Sequence, residues 1–272
     1  MTWWAVLLAL PVALILVYSF IQRGTYGGVV WTFTLENYSR AFDGLYLDVL
    51  VSSLQIAALT TVLALLLGYP AAMFIATRRS ARVRTALLVL CVLPFWTSLL
   101  IRTYAWIVLL NENGLVNQAL VATGVTGAPM KLLYNEFAIV VGLLYGYLPL
   151  MILPLYAAIE RIDPALREAS ADLGAGAVRR FLTVTLPLTR AGVAAGCIFV
   201  FVPSLGNFIV PDLLGGGTSS MVGNLIQNEF LRTRDWPFGA TIALAVIFVM
   251  LLVIAAQARV VSRDRKEAVD AT

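Results

Sequence analysis

The charged stretch between residues 160 and 190 holds the side chains best suited to act on something outside the chain. Arg161, Asp163, Arg167, Glu168, Asp172, Arg179, Arg180 and Arg190 gather there, between two long apolar runs that a short turn could join. Asp163-Pro164 reads as a helix start, an acceptor side chain at the N-cap followed by proline at the first helical position. Ile162, Leu166, Ala169 and Leu173 recur at helical spacing on one face, while Arg167, Glu168 and Asp172 take the other. Gly174 and Gly176 permit a sharp break. A second short helix is predicted over roughly 177–185, carrying Arg179 and Arg180 and stopping before Pro187. Two short helices set at an angle make a protruding knob with an apolar stripe, small alanines and charged flanks. That shape fits a groove on a partner protein. A lipid surface is the alternative, but the stripe has no aromatic side chain to hold it there.

The rest of the reactive inventory points to passage and binding, not to catalysis. No His is present, which removes the commonest general base and the commonest metal ligand, so neither catalytic residues nor a metal site is expected. The run Gly215-Gly216-Gly217-Thr218-Ser219-Ser220 lacks the Gly-Lys-Ser/Thr ending of a phosphate-binding loop and reads as a linker. Arg102 is the one charge deep in an apolar segment, a candidate for gating or structure. Trp96, Tyr104, Trp106, Tyr145, Tyr147 and Phe208 could line a route for a cation by cation–π contact, or serve as packing and interface belts. Ser204 and Asn207, beside Pro203 and Gly206, mark a break where freed carbonyls could face a pathway. Asp212, Glu229 and Asp235, near the outer end, are the local carboxylates suited to an amine. Cys91 and Cys197 read as small apolar fillers.

The elements that must position these groups are membrane spans. Hydrophobic residues make up 60% of the chain and charged residues 12%, a balance that no soluble domain of this length could bury. Segments near 3–21, 49–77, 85–110, 137–159, 191–210 and 239–258 are each long enough to cross about 30 Å of hydrocarbon. The first lacks a basic leader and a small-residue cleavage site, so it is expected to be retained as a span. Arginine marks orientation. Arg78, Arg79, Arg82 and Arg84 follow the second span, the 160–190 loop follows the fourth, and Arg259, Arg263, Arg265 and Lys266 follow the last. The alternate connections hold only Arg23 and Arg40, then Lys131, then Arg232 and Arg234. Both termini and the knob are therefore expected in the cytoplasm. The net charge of +4 tracks these loops and gives no sign of nucleic-acid binding. The expectation is an all-α polytopic membrane protein with six transmembrane helices.

Longer phrases connect this pattern with a known group. Glu168-Ala169-Ser170-Ala171-Asp172-Leu173-Gly174, followed by Val184-Thr185-Leu186-Pro187, resembles the EAA loop of ABC-importer permeases, departing from it at Ser170. The resemblance over roughly residues 45–260 is to MetI-like type I ABC-importer permeases, and within them to the spermidine/putrescine permeases. The latter rests on Phe33-Thr34-Leu35-Glu36-Asn37-Tyr38, Leu93-Pro94-Phe95-Trp96 through Trp106, Asn113-Gly114-Leu115-Val116-Asn117, and Val202-Pro203-Ser204-Leu205-Gly206-Asn207-Phe208 through Gly216. Permeases for ferric iron, opines or aminophosphonates share parts of these phrases, so those cargos stand as alternatives.

The resemblance implies one subunit of a larger machine in the bacterial cytoplasmic (inner) membrane. It implies a first helix and outer loop over 1–48, a permease core over 49–260 with a coupling loop at 160–190, and a cytoplasmic tail over 261–272. It implies two ABC ATPase subunits, which bind ATP and Mg while this chain binds no cofactor. A second homologous permease, an extracytoplasmic substrate-binding protein and membrane lipid complete the expected partners. Glu168 would pair with a basic group on the ATPase, Gly174 would supply the turn, and Leu166, Ala169 and Leu173 would fill the groove, with Pro187 closing the motif. A stand-alone secondary transporter would need an embedded carboxylate or His for coupling, and an intramembrane enzyme would need a catalytic dyad. The predicted spans contain neither.

Overall fold

The computed structural model describes residues 2–25, 27–217 and 220–270. Thr218 and Ser219 of the glycine run lie outside the described residues, as do the side chains of Arg167, Arg263, Arg265 and Lys266. Helix α1 (Thr2–Ser19) leads into strands β1 (Ile21–Arg23) and β2 (Val29–Phe33), paired antiparallel, and short helix α2 (Glu36–Ala41). The all-α expectation thus takes one correction, this hairpin. It forms where Gly27 and Gly28 supply positive φ between two short runs of strand-favouring residues. Thr34, one residue before the N-cap Leu35, accepts a bond from the amide of Glu36 at 3.1 Å.

The frame is three long helices. α3 (Gly44–Ala76), α7 (Glu136–Glu160) and the later α14 (Trp236–Asp270) each contain a segment long and apolar enough to cross a membrane. Between the first two come α4 (Ala81–Val92), α5 (Leu99–Leu110) and α6 (Leu115–Ala122). A single straight span over 85–110 is not what forms. The chain bends by 91° between Ala81–Trp96 and Leu99–Ala122. Pro94 sits in a tight 3₁₀ turn at Leu93–Trp96, and Thr97 and Ser98 are extended, so the helical ladder cannot run through. Asn111 and Gly114 then make a turn, with the amide of Gly114 donating to the carbonyl of Asn111 at 2.8 Å.

After α7 come α8 (Pro164–Asp172), α9 (Ala177–Arg180), a π turn at Phe181–Thr185, α10 (Leu186–Leu188) and α11 (Arg190–Leu205). The pair Ala177–Leu188 and Arg190–Leu205 is bent by 72°. The second knob helix does not stop before Pro187. The widened π turn absorbs the missing proline amide and carries the helix through to Leu188. Short helices α12 (Ile209–Leu214) and α13 (Val222–Leu231) follow α11 before α14.

α3, α7 and α11 pack as a central trio. Their approach is close because small residues line the seam. A methyl at Gly192 would stand 2.8 Å from the carbonyl oxygen of Pro154, and one at Gly196 2.6 Å from the Met151 sulfur. Met151, Ile152, Leu155, Ile159 and Val200 form the buried apolar centre there, and α1 lies against α14 at the side.

Candidate coupling loop and intramembrane site

The knob takes the shape its residues dictate. Asp163 caps α8, accepting from the amide of Ala165 at 2.9 Å, with Pro164 at the first position. Gly174 ends it at φ 76°, where a side chain would be strained, while Gly176 has an ordinary φ of −61° and acts as the N-cap of α9. Glu168, Ala169 and Leu166 are exposed on α8, and Leu173 is 88% exposed. Val178, at 72%, and Leu182, at 54%, extend the bare apolar surface onto the second half. Pro187 is half-buried in α10, facing inward from the exposed stripe.

The root of the knob is held more firmly than its tip. Tyr69, near the C-terminal end of α3, shares a 2.7 Å hydrogen bond with Thr189, whose hydroxyl also lies 2.9 Å from the carbonyl oxygen of Thr185. Phe181 meets the Tyr69 ring edge-on, with centroids 5.1 Å apart. Arg84 pairs with Glu160 at 3.3 Å, tying the start of α4 to the end of α7. Sequence reading missed Tyr69, Thr189 and Phe181. The usable signal was a lone tyrosine before Pro70 inside an apolar run.

At the far end of α11 the predicted break is present. α11 stops at Leu205, α12 starts at Ile209, and Asn207 fastens the gap. Its side-chain oxygen accepts from the amide of Val210 at 2.9 Å, and its nitrogen donates to the Tyr147 hydroxyl at 2.7 Å. Tyr147 in turn donates to the freed carbonyl of Pro203 at 3.3 Å, and Asn224 donates at 2.8 Å to the carbonyl of Phe208, which also accepts from the amide of Asp212. A cavity of ≈ 260 Å³ is lined by Tyr147, Pro203, Gly206, Asn207, Phe208 and Ile209. Ser204 is fully buried, and its hydroxyl has no hydrogen-bond partner. Arg102 lies within electrostatic reach of Tyr147 and has the Phe95 ring 5.3 Å from its guanidinium carbon.

The remaining candidates are dispersed. Trp96, 84% exposed, borders a separate apolar hollow with Leu88, Val89, Val92 and Leu93. Tyr104 lies on the exposed face of α5, and Tyr145 packs edge-on against Trp106 at 5.7 Å. Asp212 is exposed on α12. The three outer carboxylates are not equivalent, which corrects the sequence reading. Asp235 is fully buried, 3.0 Å from Arg40 and 3.7 Å from Arg23, and it caps α14. Burial alone would lower the Arg40 pKa, but the hydrogen bond and charge of Asp235, with help from Tyr46, raise it. Glu229 is buried and accepts from the hydroxyl of Thr233, just past the end of its helix. Asp212 alone among them stays open to solvent.

This geometry pairs an exposed knob with a polar gap toward opposite ends of α11. Residues 66–266, which take in the knob and the gap, match the family described as binding-protein-dependent transport system inner membrane component. The spermidine/putrescine transport system permease protein PotB of Haemophilus influenzae is 43% identical over 253 residues, covering 93% of this chain and 88% of that one. The protein of the same name from Escherichia coli K12 is 41% identical over 252 residues, covering 93% and 91%. A crystal structure of a bacterial ABC transporter involved in the import of the acidic polysaccharide alginate shares the fold at a TM-score of 0.77 and 18% identity, covering 96% of this chain and 92% of that one. The chain belongs to the binding-protein-dependent transport system inner membrane components.

Proposed function

We propose that the chain is a transmembrane permease subunit of an ATP-driven ABC importer that moves polyamines, spermidine or putrescine, across the bacterial inner membrane. The observation that carries the reading is the exposed knob Leu166–Gly174, bare on its apolar stripe and joined through α11 to the polar gap at Asn207. The cargo class is carried by the two permease relatives. In this reading the chain crosses the membrane six times. α1 and the two bent pairs add to the three long helices, and both termini face the cytoplasm. The core runs over 49–260, with the coupling loop at 160–190 and the tail at 261–272.

ATP and Mg are handled by two ATPase subunits that receive the knob, with Glu168 against a basic group and Leu166, Ala169 and Leu173 in the groove. α11, at 16 residues, spans about 24 Å at 1.5 Å per residue. A displacement of the knob would pivot about the Tyr69–Thr189 bond and move the Asn207 gap. A second, homologous permease forms the other wall of the route, and an extracytoplasmic binding protein delivers cargo to the mouth beside Asp212. Phe208, 40% exposed beside the cavity, offers a π face to a passing ammonium.

One observation favours a second reading. Arg102 near Tyr147 would repel a polyamine and attract an anion, as an aminophosphonate permease would require. Uptake of labelled spermidine, putrescine and an aminophosphonate into vesicles holding the whole transporter separates the two. Polyamine uptake driven by ATP is the expected result. Uptake of the aminophosphonate alone overturns the cargo assignment.

A further inference from the structure

The Arg102 guanidinium is incomplete in this chain. Nε and Nη1 are enclosed and have no hydrogen-bond partner, and Nη2 is not among the enclosed atoms. Among the described residues no carboxylate lies within ion-pair distance of it. The Phe95 ring covers one side, and the predicted spans of this chain contain no Asp or Glu at all. A guanidinium at membrane depth cannot end in hydrocarbon without a large cost. It needs an acceptor, and one bearing negative charge satisfies it best.

The surroundings say from which side that acceptor comes. Ile101, Tyr104 and Val108 form a bare apolar stripe on α5, 66%, 56% and 70% exposed, alongside the position of Arg102. Their spacing is that of one helix face. Arg102, about 100° round the helix from Ile101, stands on the flank of that stripe, and intramembrane charges turn toward protein or water. We propose that Arg102 is one half of an ion pair completed in trans by an Asp or Glu carboxylate of the second permease, whose helix lies along this stripe and meets Nη2. The proposal rests on the importer reading given above. It also removes the conflict with a cationic cargo, since a paired guanidinium presents little net charge to the route.

The sign of one substitution separates this from other roles. The whole transporter is assembled with Arg102→Met or Arg102→Lys, and the amount of second permease that purifies with this chain is measured. Removing one member of a buried pair strands the other, so Arg102→Met is expected to lower recovery of the second permease by about tenfold or more. Arg102→Lys should retain an intermediate amount. The full chain alone, carrying Arg102→Met, should melt no lower than the wild type, because an unpaired buried charge has been removed. Changing the intramembrane carboxylates of the second permease one at a time to Asn or Gln should then reveal one position that restores assembly with Arg102→Met.

Wild-type recovery with Arg102→Met overturns the pair. So does a lower melting point of the isolated variant chain, which would assign Arg102 to internal packing. Failure of every carboxylate substitution to restore assembly also overturns it. Loss of the second permease from the wild-type complex on removal of anionic lipid would assign Nη2 to a phosphate instead. Failure of the wild-type chain to retain a second permease in any lipid would bring down the importer reading itself, a different result from all of these.

Discussion

At one end of α11, Leu173 and Val178 stand in the open, 88% and 72% exposed. At the other end Ser204 and Asn207 are sealed from solvent, and the Ser204 hydroxyl finds nothing to bond. The knob is apolar where water would favour polar groups, and the gap is polar where hydrocarbon would favour apolar ones. Each departs from its surroundings in the opposite direction, and each departure identifies what is missing. Bare leucine and valine call for a protein groove, since the stripe is too poor in aromatics to hold a lipid surface. The enclosed Ser204 hydroxyl, left out of the bonds among Asn207, Tyr147 and Pro203, calls for water or a polar cargo. α11 runs from the bend at the root of the knob to the gap, so an event at the first can be felt at the second.

The strongest test of this contrast is to spoil the knob and leave the gap alone. Gly174→Asp places a side chain at φ 76° and a carboxylate in the turn, and Glu168→Lys reverses the charge expected to pair with the ATPase. Both variants should insert normally, yet uptake should fall to near background and ATP hydrolysis should lose its dependence on cargo. Uptake at the wild-type rate in both variants, with assembly intact, would refute docking through α8.

A second test strikes the outer surface, where polar burial is already satisfied. Asp235→Ala strands Arg40 and Arg23, and Arg23 also donates to the carbonyl of Thr233 at 2.8 Å. The loss should be about 2 kcal/mol, short of a fully buried pair because the guanidinium groups are 34% and 45% exposed. Thermal unfolding in detergent reads it, and no change in midpoint would show that the hairpin does not depend on this contact. Asp235→Leu combined with Arg40→Met should recover part of the loss.

These two regions differ in how far the sequence revealed them. The knob was legible down to its cap, its stripe and its turn, because local rules decide all three. The break at Pro203–Asn207 was legible for the same reason. What stayed hidden depends on distant partners. Asp235, Glu229 and Asp212 look alike in the sequence, and only packing shows that two are spent on neighbours. The 91° bend before α5 was also missed, since Pro94 does not announce how far the chain turns. Tyr69 and Thr189 lie too far apart in sequence for any spacing rule to join them.

A third prediction sharpens the contrast at the mouth. Asp212 is the exposed outer carboxylate of the three, so a cationic cargo should feel it. Asp212→Asn should weaken polyamine uptake by about 1–3 kcal/mol, the value of a charge-assisted hydrogen bond, and Asp212→Glu should weaken it less. Glu229→Gln should leave cargo affinity unchanged, because that carboxylate is turned to Thr233. The half-saturating concentration of spermidine in vesicle uptake is the readout. Equal effects at Asp212 and Glu229 would show that the outer mouth reads total charge, not one positioned carboxylate.

The smallest effect belongs to the joint between the two regions. Tyr69→Phe removes the hydroxyl from the bond with Thr189 but keeps the ring that Phe181 packs against. Thr189 still has the carbonyl oxygens of Thr185 and Leu186 within reach, at 2.9 and 3.2 Å, so no buried donor is stranded. The loss in stability should be about 1 kcal/mol or less. Coupling should suffer more than folding, because the bond holds the root of the knob to α3 at the point about which α11 would pivot. The measurement is the number of ATP molecules hydrolysed per cargo molecule moved, compared at matched thermal stability with a control such as Thr61→Val, which removes a hydroxyl bonded only within α3. A higher ratio for Tyr69→Phe than for the control supports the pivot. An equal ratio would reduce the Tyr69–Thr189 bond to ordinary helix packing and leave α11 to move by some other hinge.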